Sequence, residues 1–285
     1  MISAGEVIRR ARDWQTDPTV VELDYVLGCF ISHWYRLPIA EKMLFKGGTC
    51  LRKCYFPDYR FSEDVDLTTL HEIEADVLRE GLDEVAREVA RSTGVNLAAQ
   101  PARVEVVRTD SSSTYIEGRL YFQGPLQRTG SPQGIRIDVS SGEAMVFQAV
   151  PRELIHQYTD AEDLDPGGTV VPCYDLREVL LEKLRGVSGQ RRYAIARDLY
   201  DIDYLLQRAD VQLEEAIPFA EVKFAAKGLE ISRQILERLE ARKDEFRLDW
   251  ARGVERLVPT DQLTEFDMAW ERVILAVSAI VEAHR

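Results

Sequence analysis

Apolar positions along this chain recur at two periods, and the places where the period changes outline its organisation. The N-terminal part is helical in spacing. Residues 3–14 form a short amphipathic segment. Thr19 to Arg36 form a longer one, with Val20, Leu23, Leu27, Phe30, Ile31 and Trp34 near helical spacing. Pro38 closes that helix. Met43-Leu44-Phe45 reads as a short strand, Thr49 to Tyr55 as a helix, and Pro57-Asp58 as a turn. Asp64 to Thr69 alternates as a strand. Ile73 to Ser92 returns to the helical period, and Gly94 supplies its C-terminal stop.

A β pattern follows. Arg103 to Val107, Thr114 to Phe122 and Gly134 to Val139 alternate with period two, and Pro125 and Gly130-Ser-Pro132 mark the turns. After Asp165-Pro-Gly-Gly168 the chain is helical to its end: Tyr174 to Val187, Arg192 to Gln207, Leu213 to Gly228 interrupted by Pro218, Ile231 to Val258, and Leu263 to His284. No internal repeat and no low-complexity tract is present. The expected architecture is α+β, a mixed sheet flanked by helices over residues 1–160 and an all-helical half over residues 161–285.

Composition narrows the class. The 285 residues are 45% hydrophobic and 30% charged, which suits a folded protein with a proper core. No apolar run reaches the length of a membrane span, and the charged stretch Met1 to Arg12 lacks a signal-peptide core. The expected location is cytoplasmic, with no membrane contact. The formal net charge of −13 argues against a general nucleic-acid coat. It leaves room for a local basic surface: Arg185, Arg191, Arg192 and Arg197 form one set and Arg119, Arg128 and Arg136 a looser one, either solvated faces or contacts to nucleic acid. Cys50 and Cys54 are four apart, but no second Cys/His pair follows at zinc-like spacing, so all four cysteines read as reduced, mostly buried thiols. His33 reads as a packing or surface residue.

Two adjoining stretches carry candidate chemistry. Lys46-Gly47-Gly48-Thr49 runs into a helix, and paired glycines let backbone N–H groups close on an anion. Arg60-Phe-Ser62-Glu-Asp64-Val-Asp66 enters a strand on which Val65 and Leu67 face one side and Asp64, Asp66 and Thr68 the other. Two carboxylates two residues apart on one face repel, and a divalent cation resolves that repulsion; Mg²⁺ is commonly held by one or two carboxylates plus substrate phosphates. On the third β strand Ile135, Ile137 and Val139 share a face, placing Arg136 and Asp138 opposite. In the helical half Lys183 sits at the edge of an apolar stripe, positioned either to extend to water or to reach a cleft. Asp198 and Asp201 are three apart and share a helix face.

Taken together, Lys46-Gly-Gly-Thr49, Arg60-Phe-Ser-Glu-Asp-Val-Asp66, the Glu178 to Arg185 segment around Lys183 and Arg197-Asp198-Leu-Tyr-Asp201-Ile resemble the AbiEii/AbiGii (MenT-like) nucleotidyltransferases, toxins of type IV toxin–antitoxin systems with a DNA polymerase β-like core. The resemblance implies a nucleotidyltransferase in which Gly47, Gly48 and Thr49 hold phosphates, Asp64, Asp66 and Asp138 bind Mg²⁺ (or Mn²⁺ in its place), and Lys183 balances triphosphate charge. Asp198 and Asp201 then position Lys183 or act as base, or else form a structural ion pair to Arg197 or Lys183; Asp198 is the better catalytic candidate, with the reverse order open. Arg60 and Ser62 either seat the nucleotide or brace the strand. Thr49 stands where polymerase β-like enzymes often carry serine, and the interval to Asp64 is longer. The implied partners are an NTP, an RNA acceptor (notably a tRNA 3′ end) and a cognate antitoxin. The same core also serves a protein or small-molecule acceptor, or a partner-binding role without turnover.

Overall fold

Seven strands make one mixed sheet, and the strand that carries Asp64 and Asp66 lies at its centre. A computed structural model describes residues 1–108 and 114–285. In chain order the strands are β1 (Met43–Lys46), β2 (Asp64–Thr69), β3 (Asn96–Arg108), β4 (Thr114–Gln123), β5 (Gln133–Ser141), β6 (Val150–Glu153) and β7 (Val170–Cys173). Their spatial order is β3-β4-β5-β2-β1-β7-β6. β2 runs parallel to β5, and β1 to β7; the remaining neighbours are antiparallel.

The chain packs as two units. Met1–Gly142 and Ala149–Cys173 form the first, which contains the whole sheet; Glu143–Gln148 and Tyr174–Arg285 form the second. Residues 161–173, read above with the helical half, carry β7 and pack in the first unit.

In the first unit the alternation of β5 decides which face is buried. Ile135, Ile137 and Val139 are 2% exposed or less, whereas Arg136 and Asp138 are only partly covered. The apolar face joins one hydrophobic core with Val65 and Leu67 of β2 and Ile116 and Leu120 of β4. Two helices complete that core. α2 (Pro18–Trp34) follows α1 (Ala4–Asp13) and contributes Leu27, Phe30 and Trp34; α4 (Ala75–Thr93) contributes Leu78, Leu82, Val85 and Val89. Their ends obey local rules. The Asp17 carboxylate accepts from the Thr19 N–H, with Pro18 opening α2. Gly94, at φ +79°, stops α4 in the left-handed conformation. His33 is buried, bonded to Ser32, the Cys29 carbonyl and Ser92, and so is a packing residue.

Two strands escaped the hydrophobic pattern. β6 and β7 have four residues each, too few for a period to show. Each contains a proline, which cannot donate to a ladder. They pair with Pro151 opposite Pro172. β3 also runs further than its alternation suggested, because its register slips between Ala98 and Arg103, around Pro101.

The second unit is helical among its described residues: α6 (Leu176–Arg185), α7 (Ala196–Gln207), α8 (Leu213–Ala216), α9 (Ala220–Ala225), α10 (Arg233–Glu240), α11 (Lys243–Asp249) and α12 (Phe266–Ala283) follow α3 (Gly47–Cys50) and α5 (Ala161–Leu164) of the first. The long segments expected over 213–228 and 231–258 are each broken into shorter helices, the first at Ile217-Pro218. α7 starts at Ala196 rather than Arg192. Leu180, Leu184, Leu199, Ile202 and Leu205 are buried without exposure, and Tyr200, Trp250, Phe266 and Trp270 form a chain of ring contacts 5.6–6.4 Å apart.

Candidate active site

The register of the central strands builds the site in the first unit. Asp66 lies opposite Lys46 on β1 and opposite Asp138 on β5; Asp138 in turn lies opposite Glu117 on β4. One step along, Asp64 lies opposite Arg136, which lies opposite Arg119. Because side chains alternate, both rows project from the face away from the core. Asp138 is therefore brought beside Asp64 and Asp66 by the parallel β2–β5 ladder, not by proximity in sequence.

One arginine bridges two of the acids on this face. The Arg136 guanidinium reaches Asp64 at 2.9 Å and Asp138 at 3.2 Å. It was read from the sequence only as a member of a loose basic set; its bridging position depends on the β2–β5 register, which no local pattern reveals. Asp138 Oδ1 is buried and has no hydrogen-bond partner among the described residues. Burial pushes the Asp138 carboxyl up to about 6, Arg136 pulls it back, and the charges of Asp64 and Glu117 push it further up. The Tyr115 phenol is raised too, by burial and then by Asp138 and Glu117. A buried carboxylate oxygen with an open lone pair, beside two further carboxylates, is the donor set of a hard divalent cation. These residues fit a magnesium-type ion.

The glycine loop closes one side of this face. Gly47 sits at φ +77°, where only glycine is comfortable, and a Cβ there would collide with the Asp66 carboxylate. A Cβ on Gly48 would stand 2.7 Å from Arg60 Nη2 and 3.0 Å from Ser62 Oγ. The backbone of Gly47-Gly48 thus lies directly against Asp66, Arg60 and Ser62. α3 starts here and continues as a wider helical turn over Leu51–Tyr55, closed by the Phe56 N–H on the Leu51 carbonyl at 2.8 Å.

Three neighbours hold this arrangement. The Thr49 hydroxyl donates to the backbone carbonyl of Asp64, and Thr49 is 1% exposed. The expected phosphate contact is therefore not where this hydroxyl points; it fixes the start of β2. Arg60 is buried and donates to the Phe61 carbonyl at 3.0 Å. Ser62 Oγ donates to Asp64 Oδ1 at 3.4 Å. Beneath them Asp24 binds Arg52 and Lys53, each at 2.7 Å, and Tyr158 at 2.8 Å. Burial acts to raise the Asp24 carboxyl, but the two cations outweigh it and hold it far below the usual range.

The second unit holds Lys183, Asp198 and Asp201 in a separate cluster. Lys183 Nζ is 2.7 Å from Asp198 Oδ1 and 2.9 Å from Asp201 Oδ2; Arg191 Nη1 is 3.3 Å from Asp198 Oδ2. Asp198 and Asp201 are 1% and 0% exposed. Two cations meet two anions, as buried charge requires. Asp198 also lies in the first turn of α7, where the helix dipole favours a carboxylate. Arg191 was not singled out as a partner by the sequence reading.

The acidic residues flanking Lys183 serve packing. Glu178 accepts from the N–H groups of Val146 and Phe147 at 3.0 and 2.8 Å and pairs with the buried Lys223 at 2.6 Å. Arg185 and Lys227 pair with Glu143 at 3.7 and 3.0 Å. Residues 143–148, just beyond β5 in the chain, are thereby pinned to the helices of their own unit.

The comparisons with known proteins give the family and the fold. The family model described as nucleotidyl transferase AbiEii toxin, type IV TA system, matches residues 30–272. No curated protein matches the sequence. Among solved structures, MenT4, a nucleotidyltransferase toxin from Mycobacterium tuberculosis, shares the fold with a TM-score of 0.59 at 19% identity, over 98% of this chain and 99% of that one. JHP933 from Helicobacter pylori shares it with a TM-score of 0.54 at 15% identity, over 94% of each chain. No helix among the described residues is long and apolar enough to cross a membrane. Since the family model spans most of its length, this chain belongs to the AbiEii nucleotidyltransferase toxins of type IV toxin–antitoxin systems.

Proposed function

We propose that this toxin transfers a nucleoside monophosphate from an NTP to an RNA acceptor, with a tRNA 3′ end as the first candidate, and so blocks translation and growth. The observation that carries the reading is the row Lys46–Asp66–Asp138 with Gly47 closed onto Asp66. Asp64, Asp66 and Asp138 hold the divalent cation, Mg²⁺ or Mn²⁺. That ion supplies Lewis-acid charge neutralisation at the reacting phosphate when bound.

The chain's own groups do the rest. The N–H groups of Gly47 and Gly48 bind the phosphates; their lack of Cβ leaves the backbone open to them. Thr49 and Ser62 hold Asp64 in place through their hydroxyls. Arg60 braces the loop against β2. Lys46 and Arg136 are the local cations facing nucleotide charge, and Arg136 yields Asp64 and Asp138 when the site fills. In the second unit, Asp198 and Asp201 hold the Lys183 ammonium in one orientation through a double ion pair.

The RNA acceptor is supported by the family resemblance and by one surface feature. Tyr193 is 70% exposed, and the Arg192 guanidinium lies 5.4 Å from its ring. An exposed aromatic beside arginine is a stacking platform for an unpaired base. A cognate antitoxin is the expected protein partner.

The test is incubation of the protein with Mg²⁺, total tRNA and each α-labelled NTP in turn, beside Asp66→Ala. The expected result is label on RNA, absent with the variant. Label on protein that survives RNase contradicts the RNA acceptor. Equal labelling by Asp66→Ala contradicts the assignment of the site.

A further inference from the structure

Outside the nucleotide site, the structure brings three cysteines together. Cys50 and Cys54 lie on the helical turn that begins at Gly47. Cys173 is the last residue of β7, opposite Phe45 of β1. All three are buried, and their Sγ atoms lie within 4.8 Å of one another. The sequence alone reads Cys50 and Cys54 as inert, because their partner arrives from a distant strand.

We propose that Cys50, Cys54 and Cys173 form a site for a thiophilic d¹⁰ metal ion, with Zn²⁺ as its ordinary occupant.

Three thiolates at about 2.3 Å from one ion stand about 3.8 Å apart, so the sulfurs need to close by about 1 Å or less. A disulfide would join two of the three and leave the last thiol unused, whereas one ion uses all three. Cations stand beside the cluster: Lys53 adjoins Cys54 in the chain, and Arg152 Nε donates to the Cys54 carbonyl at 3.2 Å. Each thiol gives up its proton to solvent as its S–metal bond forms; no electron is transferred. Three thiolates with a dication leave one net negative charge, which the Lys53 and Arg152 cations face. Cys173 Sγ, which donates to the Val171 carbonyl at 3.4 Å, exchanges that weak bond for the metal. Because the cluster is buried, loading accompanies folding. Its structural effect is to tie the glycine-loop helix to β7, behind the phosphate-binding backbone.

The decisive experiment uses the full chain, reduced and freed of metal under mild denaturation, then refolded with Cd²⁺ as spectroscopic probe. The expected result is one Cd²⁺ per chain with a thiolate-to-cadmium charge-transfer band, displaced by Zn²⁺, and Zn²⁺ protection of three of the four thiols from maleimide. Cys29→Ala keeps the band; Cys54→Ala and Cys173→Ala lose it and lose the Zn²⁺-dependent rise in melting temperature. Should either variant fail to fold, the wild-type titration and thiol protection decide alone. Four thiols alkylated equally with and without Zn²⁺ overturn the proposal. So does an oxidised pair, two hydrogens lighter, in a chain that takes up no metal.

Discussion

The two acidic clusters of this protein differ in how their charge is settled. On the strand face Arg136, whose side chain is 42% exposed, bridges Asp64 and Asp138, whose side chains are 17% and 23% exposed. In the helical unit, Asp198 and Asp201 meet Lys183 and Arg191 in near-balance. The first arrangement costs stability and gains from any added cation. The carboxylates of the second are almost fully buried, and removing one charge leaves its buried partners under-compensated. The lesson is that carboxylates serve different ends according to how far they and their counter-charges are buried. A partly exposed cluster is open to a ligand, and a buried one holds a side chain still.

The largest expected effect that separates them is on catalysis. Asp66→Asn lowers nucleotidyl transfer by about 10³-fold, the scale of losing a main electrostatic group at a reacting centre. Its melting temperature is unchanged or higher, because one repelling charge is gone. Equal losses of activity and stability would erase the distinction. In the helical unit the order reverses. Asp201→Ala leaves Lys183 with less of its counter-charge and costs about 3 kcal/mol of unfolding free energy, measurable by urea denaturation. Lys183→Met takes the cation from both buried carboxylates at once, with Arg191 still at Asp198, and costs at least as much as Asp201→Ala.

Arg136→Met sharpens the comparison from the other side. In chelator this variant melts lower than the wild type, since Asp64 and Asp138 lose their shared cation. Added Mg²⁺ raises its melting temperature by more than it raises the wild type's. A smaller metal response than wild type would show that Arg136 helps rather than competes.

The smallest effects concern the frame. Thr49→Val removes the hydroxyl held by the Asp64 carbonyl and costs about 1 kcal/mol, whereas Thr49→Ser keeps both bond and stability. Asp138 titrates in metal-free protein near pH 6, read as a carboxyl carbon-13 resonance absent from Asp138→Asn. The sign follows from a raised pKa. Below about 3.8 the carboxyl is protonated in both folded and unfolded chains. As pH rises from about 3.8 to about 6 the unfolded chain gives up this proton while the folded one keeps it, so stability falls across that window and levels off above it.

How much of this was legible from residues alone follows from the range of each interaction. The common face of Asp64 and Asp66, the opposite face of Val65 and Leu67, and the glycine turn at Gly47 are set within a few residues, and period and glycine chemistry reveal them. The shared face of Asp198 and Asp201 is likewise local. The placement of Asp66 opposite Asp138 is not, because register joins strands some seventy residues apart through turns whose geometry the pattern does not specify. Arg136 as the bridge, Arg191 beside Asp198 and Cys173 beside Cys50 and Cys54 depend on such pairing. Thr49 is instructive: its residue type suits a phosphate contact, and only the position of the Asp64 carbonyl redirects its hydroxyl. β6 and β7 were lost for want of length and for their prolines.

The central claim is that the strand-face carboxylates are held short of a cation they are built to bind. The most direct measurement is a Mn²⁺ titration followed by electron paramagnetic resonance, with a non-hydrolysable NTP present, on the wild type, Asp66→Asn and Asp201→Asn. The account predicts tight Mn²⁺ binding in the wild type, its loss in Asp66→Asn, and its retention in Asp201→Asn wherever that variant is folded. Undiminished Mn²⁺ binding in Asp66→Asn would contradict it.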